Sequence, residues 1–122
     1  LPDGNGNLYI TSNFQTSYGN LSILNVGTGS TSSVISIPVS PSSTDMIIIM
    51  YNSSGQVNKY ARIGGTTTET VRCVNLDSSK QKLYISGTTN SNPCIVYDMG
   101  LQTSKTISNS GSTDIYIANY SV

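Results

Sequence analysis

The side chains that could perform acid–base chemistry in this chain are all carboxylates, because the sequence contains no histidine. A general base would have to be one of six acidic residues. These are Asp3, Asp45, Glu69, Asp77, Asp98 and Asp114. None of them belongs to a recognisable paired-carboxylate or serine–base motif, and most lie where turn-forming residues meet an apolar packet. We therefore predict no catalytic residues and no enzyme activity.

Two short patterns could be taken for metal sites. Residues 3–7 (DGNGN) resemble the start of a calcium loop, but Leu8 replaces the glycine that such a loop requires, which favours a hairpin turn. Cys73 and Cys94 occur without histidine and without a CxxC spacing, which argues against zinc. The two cysteines either pair with each other or lie separately as small apolar residues in strands. No metal or cofactor is predicted.

Tyrosine is the residue type best suited to binding in this chain, which has eight Tyr, one Phe and no Trp. A tyrosine ring offers a large apolar face with a polar tip, which suits contact with a sugar or a protein. The alternative is packing within a sheet, and Tyr9 and Tyr84, which recur in similar surroundings, fit that role. The candidate binding aromatics are Tyr51, Tyr60, Tyr97 and Tyr116.

Charge and composition limit the classes of partner that the chain could bind. Six basic and six acidic residues give a net charge of zero, so no field favours nucleic acid or an anionic membrane. No segment approaches the roughly 20 apolar residues of a membrane helix, and we predict no membrane span. A neutral surface built from Ser, Thr, Asn, Gln and Gly is typical of extracellular, cell-surface or virion-associated β proteins. We expect that localisation here.

The elements that must position these residues are strands. Clusters of Gly, Pro, Asn, Asp and Ser recur about every eight to twelve residues, and the packets between them are rich in Ile, Val, Tyr and Thr. No helical periodicity persists, so the pattern predicts an all-β fold. The ten predicted strands are 7–13, 21–25, 33–39, 45–51, 56–63, 69–76, 82–89, 94–98, 104–108 and 114–121.

Two of these strands look alike. The segment DMIIIMYN begins at Asp45 and DIYIANYS begins at Asp114, 69 positions later, while LYIT at 8–11 recurs as LYIS at 83–86. A recurring supersecondary unit predicts a face that stacking must bury. Asp45 and Asp114 could be ligand carboxylates, but their repetition favours a structural role at the turn that enters each strand.

Residues 45–89 resemble the bacterial SBBP-type β-propeller repeat, in a long-period variant that gives about two incomplete repeats over the chain. The family pattern is an Asp that opens an apolar strand, an Asn-x-x-Gly turn, a Gly-Gly, an inner strand ending in Asp, and a Tyr-Ile-x-Gly strand. It resumes in part at 3–14 and 112–122. The structural repeat positions are Asp45, Gly55, Gly64, Gly65, Asp77, Tyr84, Gly87 and Asp114.

The resemblance implies a β-propeller of antiparallel four-stranded blades, and a β-sandwich is the alternative. It divides the chain into the end of one blade with a long loop (1–44), a second blade unit (45–111) and the start of the next repeat (112–122). Closed propellers need four to eight blades. The expected chain is therefore a piece of a longer repeat protein or a subunit of a ring closed by oligomerisation.

Three functional hypotheses follow. The leading one is a structural or interaction protein, a propeller-repeat scaffold on a cell or particle surface, whose partners are other protein chains or copies of itself. The alternative is a lectin-like propeller module that binds glycans. The third is an enzyme whose catalytic residues lie outside this segment.

Overall fold

The computed structural model of the protein describes residues 1–15, 20–23, 35–38 and 43–122. These residues form ten strands, each of which overlaps one of the ten predicted strands with ends that differ by at most two residues. The strands are β1 (Leu8–Gln15), β2 (Asn20–Ile23), β3 (Ile35–Pro38), β4 (Thr44–Tyr51), β5 (Val57–Gly64), β6 (Glu69–Leu76), β7 (Lys82–Thr89), β8 (Cys94–Tyr97), β9 (Ser104–Ile107) and β10 (Asp114–Ser121). The all-β prediction is confirmed. Among the described residues, no helix is long and apolar enough to cross a membrane.

The strands pair into three antiparallel sheets, none of which is closed. The first sheet has the order β1-β4-β5-β8-β9, the second has the order β10-β7-β6, and the third contains β2 and β3. Strands that follow each other closely in the chain pair through short turns, as β4 and β5 do across the Asn52–Gln56 turn. Gly55 in that turn has a φ of 71°, a conformation that favours glycine.

The pairs β1·β4 and β7·β10 have the same register. In the first pair Leu8 faces Tyr51, and the corresponding residues of the second pair, Leu83 and Tyr120, face each other in the same way. At the other end of the pairs, Asp45 and Asp114 hold corresponding places opposite β1 and β7. The sequences of β1 and β7 match at an offset of 75 residues, and those of β4 and β10 match at an offset of 69 residues. The matching strands therefore occupy matching positions in two different sheets.

One hydrophobic core joins the first and second sheets. The first sheet contributes one face of β1, β4 and β5, and the second contributes one face of β6, β7 and β10. Burial alternates along β10, as expected for a strand with one face in a core and one in water. β4 instead is buried along most of its length, because its second face packs on the third sheet.

The β8·β9 hairpin adds to the outer edge of the first sheet. Two residue pairs, Ile63 with Val96 and Gly64 with Ile95, join β5 to β8. The hairpin follows β7 in the chain, although β7 belongs to the second sheet. Strand pairing also crosses the predicted unit boundaries at 44/45 and 111/112, because β4 pairs with β1 and β10 pairs with β7.

Gly64 and Gly65 end β5 where chain segments pass close together. A Cβ at Gly64 would lie 2.5 Å from Cγ of Asp45, and a Cβ at Gly65 would overlap the side chain of Ser91. Both contacts are far shorter than van der Waals separation. Gly64 and Gly65, two of the structural repeat positions, are therefore glycines at a place where a Cβ would not fit.

We expect Gly64→Ala and Gly65→Ala each to lower the free energy of unfolding by about 1–3 kcal/mol, the usual cost of overpacking. Gly111→Ala is the matched control, because the nearest atom to a Cβ at Gly111 lies 3.7 Å away. Thermal unfolding followed by circular dichroism compares the three variants. Equal melting temperatures in all three would contradict the close approach at residues 64 and 65.

Candidate functional site

The large apolar residues that remain exposed among the described residues lie on two sheet faces. The first, which we name the β10 face, contains Ile115 (80% exposed), Ile117 (75%) and Tyr84 (41%). The second, which we name the β1 face, contains Leu8 (42%) and Ile10 (40%). The remaining exposed large apolar residue is Leu1, whose backbone pairs with Tyr9 of β1. Isolated apolar residues are common on surfaces, whereas clustered ones mark interaction sites.

The β10 face corresponds to a face that is buried elsewhere in the molecule. Because β10 and β4 have matching registers, Ile115 and Ile117 stand where Met46 and Ile48 stand in the first sheet. Met46 and Ile48 are fully buried, because the second sheet packs on them. The β10 face therefore has the residue types of a stacked sheet face, with no described residue packed on it.

The β1 face has the opposite correspondence. Leu8 and Ile10 match Leu83 and Ile85, which are fully buried in the core between the first and second sheets. The third sheet covers part of the same side of the first sheet, through the packing of its isoleucines on Ile47. In the contact between the first and second sheets, the β10 face therefore corresponds to the side that the first sheet contributes. The β1 face corresponds to the side that the second sheet contributes.

A groove of about 420 Å³ runs beside the outer edge of β10. Asn119, Tyr120 and Ser121 of β10 form one wall, and residues of β5, β8 and the turn and strand after β8 form the other. Val96 and Met99, which line this groove, also pack against the core. β10 is an edge strand, since it pairs only with β7 among the described residues.

Polar groups in this groove have defined environments. Hydrogen bonds from the amide (3.1 Å) and hydroxyl (2.9 Å) of Thr103 lower the pKa of the Asp98 carboxyl, which stays ionised at neutral pH. Burial raises the pKa of Tyr120, and the hydroxyl of this side chain has no hydrogen-bond partner among the described residues. The Arg62 guanidinium lies 5.4 Å from the ring centre of Tyr97, within cation–π range.

A buried ion pair lies next to the β5 crossing. Arg62 Nε donates to Asp45 Oδ2 at 2.7 Å, and the Ser43 hydroxyl contacts Asp45 Oδ1 at 3.1 Å. Burial raises the pKa of the Asp45 carboxyl, Arg62 and Ser43 act in the opposite direction, and the nearby Glu69 raises it further. Glu69 is itself fully buried and accepts a hydrogen bond from Thr89 at 2.7 Å. Asp45, Arg62 and Ser43 thus form one buried polar group, whereas the second carboxylate oxygen of Glu69, Oε2, has no hydrogen-bond partner among the described residues.

The structure does not bring the four candidate binding aromatics together. Tyr116 lies in the core, where its hydroxyl donates to the Thr70 carbonyl at 2.9 Å, so its ring is not available at the surface. Tyr51 and Tyr60 pack against the cluster formed with the third sheet. Tyr97 is half-buried and alone lines the groove beside β10.

The structural repeat positions lie mostly at turns and close approaches. Asp77 accepts hydrogen bonds from the Gln81 and Lys82 amides and closes the turn between β6 and β7. Asp114 accepts a hydrogen bond from the Ser110 amide at 2.7 Å and holds the turn that enters β10, whereas Asp45 forms the ion pair. A Cβ at Gly87 would overlap the Thr70 carbonyl oxygen. Of these positions, Tyr84 is the one on the β10 face.

The two patterns considered for metal binding are occupied by local contacts. Asp3 accepts hydrogen bonds from the Asn5 and Asn7 amides at 2.7 and 3.1 Å, which is the geometry of a turn. Cys73 is exposed and Cys94 is buried, and both are free thiols. Burial raises the pKa of Cys94 to about 11, so this thiol is protonated at neutral pH.

Ile115 and Ile117 were not predicted to be surface residues, whereas Tyr116 between them was predicted to be a binding aromatic. The feature that could have indicated their outward position is the pairing of Tyr116 on β10 with Gly87 on β7. Glycine leaves room for an aromatic ring on the core face, and the strict alternation of β10 then places both isoleucines outside. Comparison of the chain with family models, curated proteins and solved structures found no significant match.

Proposed function

We propose that this protein is a structural scaffold that acts through protein–protein contacts, by stacking its sheets on those of neighbouring copies or repeat units. The observation that carries the proposal is the pair of exposed faces described above. Ile115 and Ile117 on the β10 face and Leu8 and Ile10 on the β1 face match residues that are buried against each other inside the molecule. The β10 face and the β1 face therefore carry the residues of two sheet faces that pack on each other.

Stacking the β10 face of one copy on the β1 face of the next repeats the internal sheet contact between molecules. Such an interface is heterologous, since two different surfaces meet, and heterologous contacts build rings when the rotation closes and open filaments when it does not. The neutral net charge of the chain offers no long-range repulsion against this association.

The propeller interpretation gives this assembly a geometry. The matching registers of β1·β4 and β7·β10 support a repeated unit, and consecutive blades of a propeller stack face to face as the first and second sheets do. Two stacked sheets also occur in a sandwich, which is the alternative architecture. We place the scaffold on a cell or particle surface on the strength of its neutral, polar composition.

Sedimentation velocity over a range of protein concentrations tests the proposal, with Ile115→Lys/Ile117→Lys as the variant. Burying one isoleucine contributes about 1.5–3 kcal/mol, so losing both at the interface should weaken self-association by about 100-fold or more. Thr106→Lys/Ser108→Lys makes the same change of charge at two exposed positions outside both faces.

The control double variant should associate like the unmodified chain. A chain that stays monomeric at every concentration would overturn the proposal, and so would equal association of the two double variants. A glycan array with the unmodified chain addresses the lectin-like alternative, and saturable binding to one glycan class would favour that function over assembly.

A further inference from the structure

We propose that the outer edge of β10 is a docking site for one further antiparallel β-strand, and that this strand carries the residue pattern of β5 and lies in the groove beside β10. The inference deepens the proposed scaffold function by naming a second, separate contact. It concerns the backbone edge and the groove, whereas sheet stacking concerns the β10 face.

Two matching strands, β4 and β10, differ along their outer edges. β4 and β10 have the same register with their neighbours β1 and β7. β4 also pairs along its other edge with β5, from Met46 opposite Ile63 to Tyr51 opposite Val57. The corresponding edge of β10 has no paired strand among the described residues. An edge of unpaired amide and carbonyl groups is a template for strand addition.

The space beside this edge has the shape of a groove. The groove of about 420 Å³ lies between β10 and the β5–β8 side of the first sheet, where a further strand of the second sheet would have to run. Its lining combines apolar atoms of Val96 and Met99 with the ring of Tyr97, so an incoming strand would cover apolar surface as well as backbone groups.

The residues along β10 indicate which side chains the docked strand would carry. In the register of β4 with β5, Tyr60 faces Ile49, whose counterpart on β10 is the small Ala118. An aromatic residue of the docked strand therefore fits opposite Ala118. Arg62 reaches Asp45 from β5, and the counterpart of Asp45 on β10 is Asp114. An arginine at the place of Arg62 in the docked strand would reach Asp114 in the same way.

The wall of the groove contains a buried polar atom that lacks a partner. Tyr120 is almost fully buried, and its hydroxyl has no hydrogen-bond partner among the described residues. A buried hydroxyl without a partner is unfavourable, because it has given up its hydrogen bonds to water and gained none in the protein. A strand added beside β10 brings new donors and acceptors to this wall, which the present arrangement lacks.

The experiment uses a fluorescent peptide with the sequence QVNKYARIG, which is residues 56–64, added to the full chain. Fluorescence anisotropy measures its affinity, and amide hydrogen exchange read by NMR locates it. We expect saturable binding and new protection of β10 amides. An Ala61→Pro peptide should not bind, because proline in a strand removes a hydrogen-bond donor and disrupts pairing. A scrambled peptide of the same composition is the second control.

Two matched changes test the arginine contact. An Arg62→Gln peptide should bind the unmodified chain about 10- to 100-fold more weakly, the effect of losing a hydrogen bond to a charged group. Against the Asp114→Asn chain, the two peptides should differ much less. Equal affinities of both peptides for the unmodified chain would overturn the predicted register.

The outcomes separate this inference from the proposed function. Peptide binding with β10 protection supports strand docking even if the chain fails to self-associate, which would overturn stacking alone. Absence of saturable binding together with intact self-association overturns strand docking alone. Binding that protects β4 amides instead of β10 amides means exchange with the chain's own β5, and this too overturns the inference.

Discussion

Arg62→Met is expected to lower the free energy of unfolding by about 3–5 kcal/mol, because it leaves the carboxylate of Asp45 buried without its cationic partner. The pair is almost completely shielded from water, with a 2.7 Å distance between Arg62 Nε and Asp45 Oδ2. Methionine retains much of the length of the arginine side chain, so packing changes less than charge. The loss also removes the contact between the guanidinium and the Tyr97 ring.

Urea denaturation followed by tyrosine fluorescence measures this loss as a lower midpoint at similar slope. Arg72→Met is the matched control, since Arg72 is exposed on β6, and it should change stability by less than about 0.5 kcal/mol. The double variant Asp45→Asn/Arg62→Met should be more stable than Arg62→Met alone, because the uncompensated charge is gone. Equal stability of the Arg62→Met and Arg72→Met chains would contradict a structural role for the ion pair.

Ile48→Ala and Ile117→Ala should differ sharply, although the two isoleucines occupy matching positions on β4 and β10. Ile48 is fully buried between the first and second sheets, so its truncation should cost about 2–5 kcal/mol. Ile117 is 75% exposed, and its truncation in the monomer should cost less than about 0.5 kcal/mol.

The comparison is made at protein concentrations below the onset of self-association, with urea denaturation as the readout. At higher concentrations the same Ile117→Ala chain should lose association, which Ile48→Ala does not affect directly. A large destabilisation of the monomer by Ile117→Ala would show that a part of this chain already covers the β10 face, and would remove the basis for stacking.

Strand positions were predictable from this sequence where a strand is followed by turn-forming residues, which do not readily continue it. The Asn52–Gly55 turn and the Asp77–Ser79 turn interrupt apolar packets at positions where local chemistry decides the backbone conformation. The same holds for the last strand, whose predicted bounds, 114–121, are those of β10. Local signals of this kind do not depend on which strand becomes the neighbour.

Pairing and burial could not be predicted in the same way. The contact between Asp45 and Arg62 depends on the register of β4 with β5, and the outward position of Ile115 depends on the absence of a sheet beyond it among the described residues. β8 follows β7 of the second sheet in the chain but pairs with β5 of the first sheet. The sequence of residues 94–97 does not indicate this change of sheet. The exposed isoleucines of the β10 face were therefore not predicted, because their exposure depends on whether another sheet packs on β10.

The attachment of β8 to β5 also sets an order of events during protein synthesis. β5 ends at Gly64, but the strand that pairs with the last two residues of its outer edge begins at Cys94, about 30 residues later. At the usual speed of translation, about 5–20 residues per second, that edge stays uncovered for roughly 2–6 seconds after β5 has been made. During this interval Ile63 and Gly64 lack their partners on β8, so this end of the first sheet can be completed only after the β8·β9 hairpin has been made.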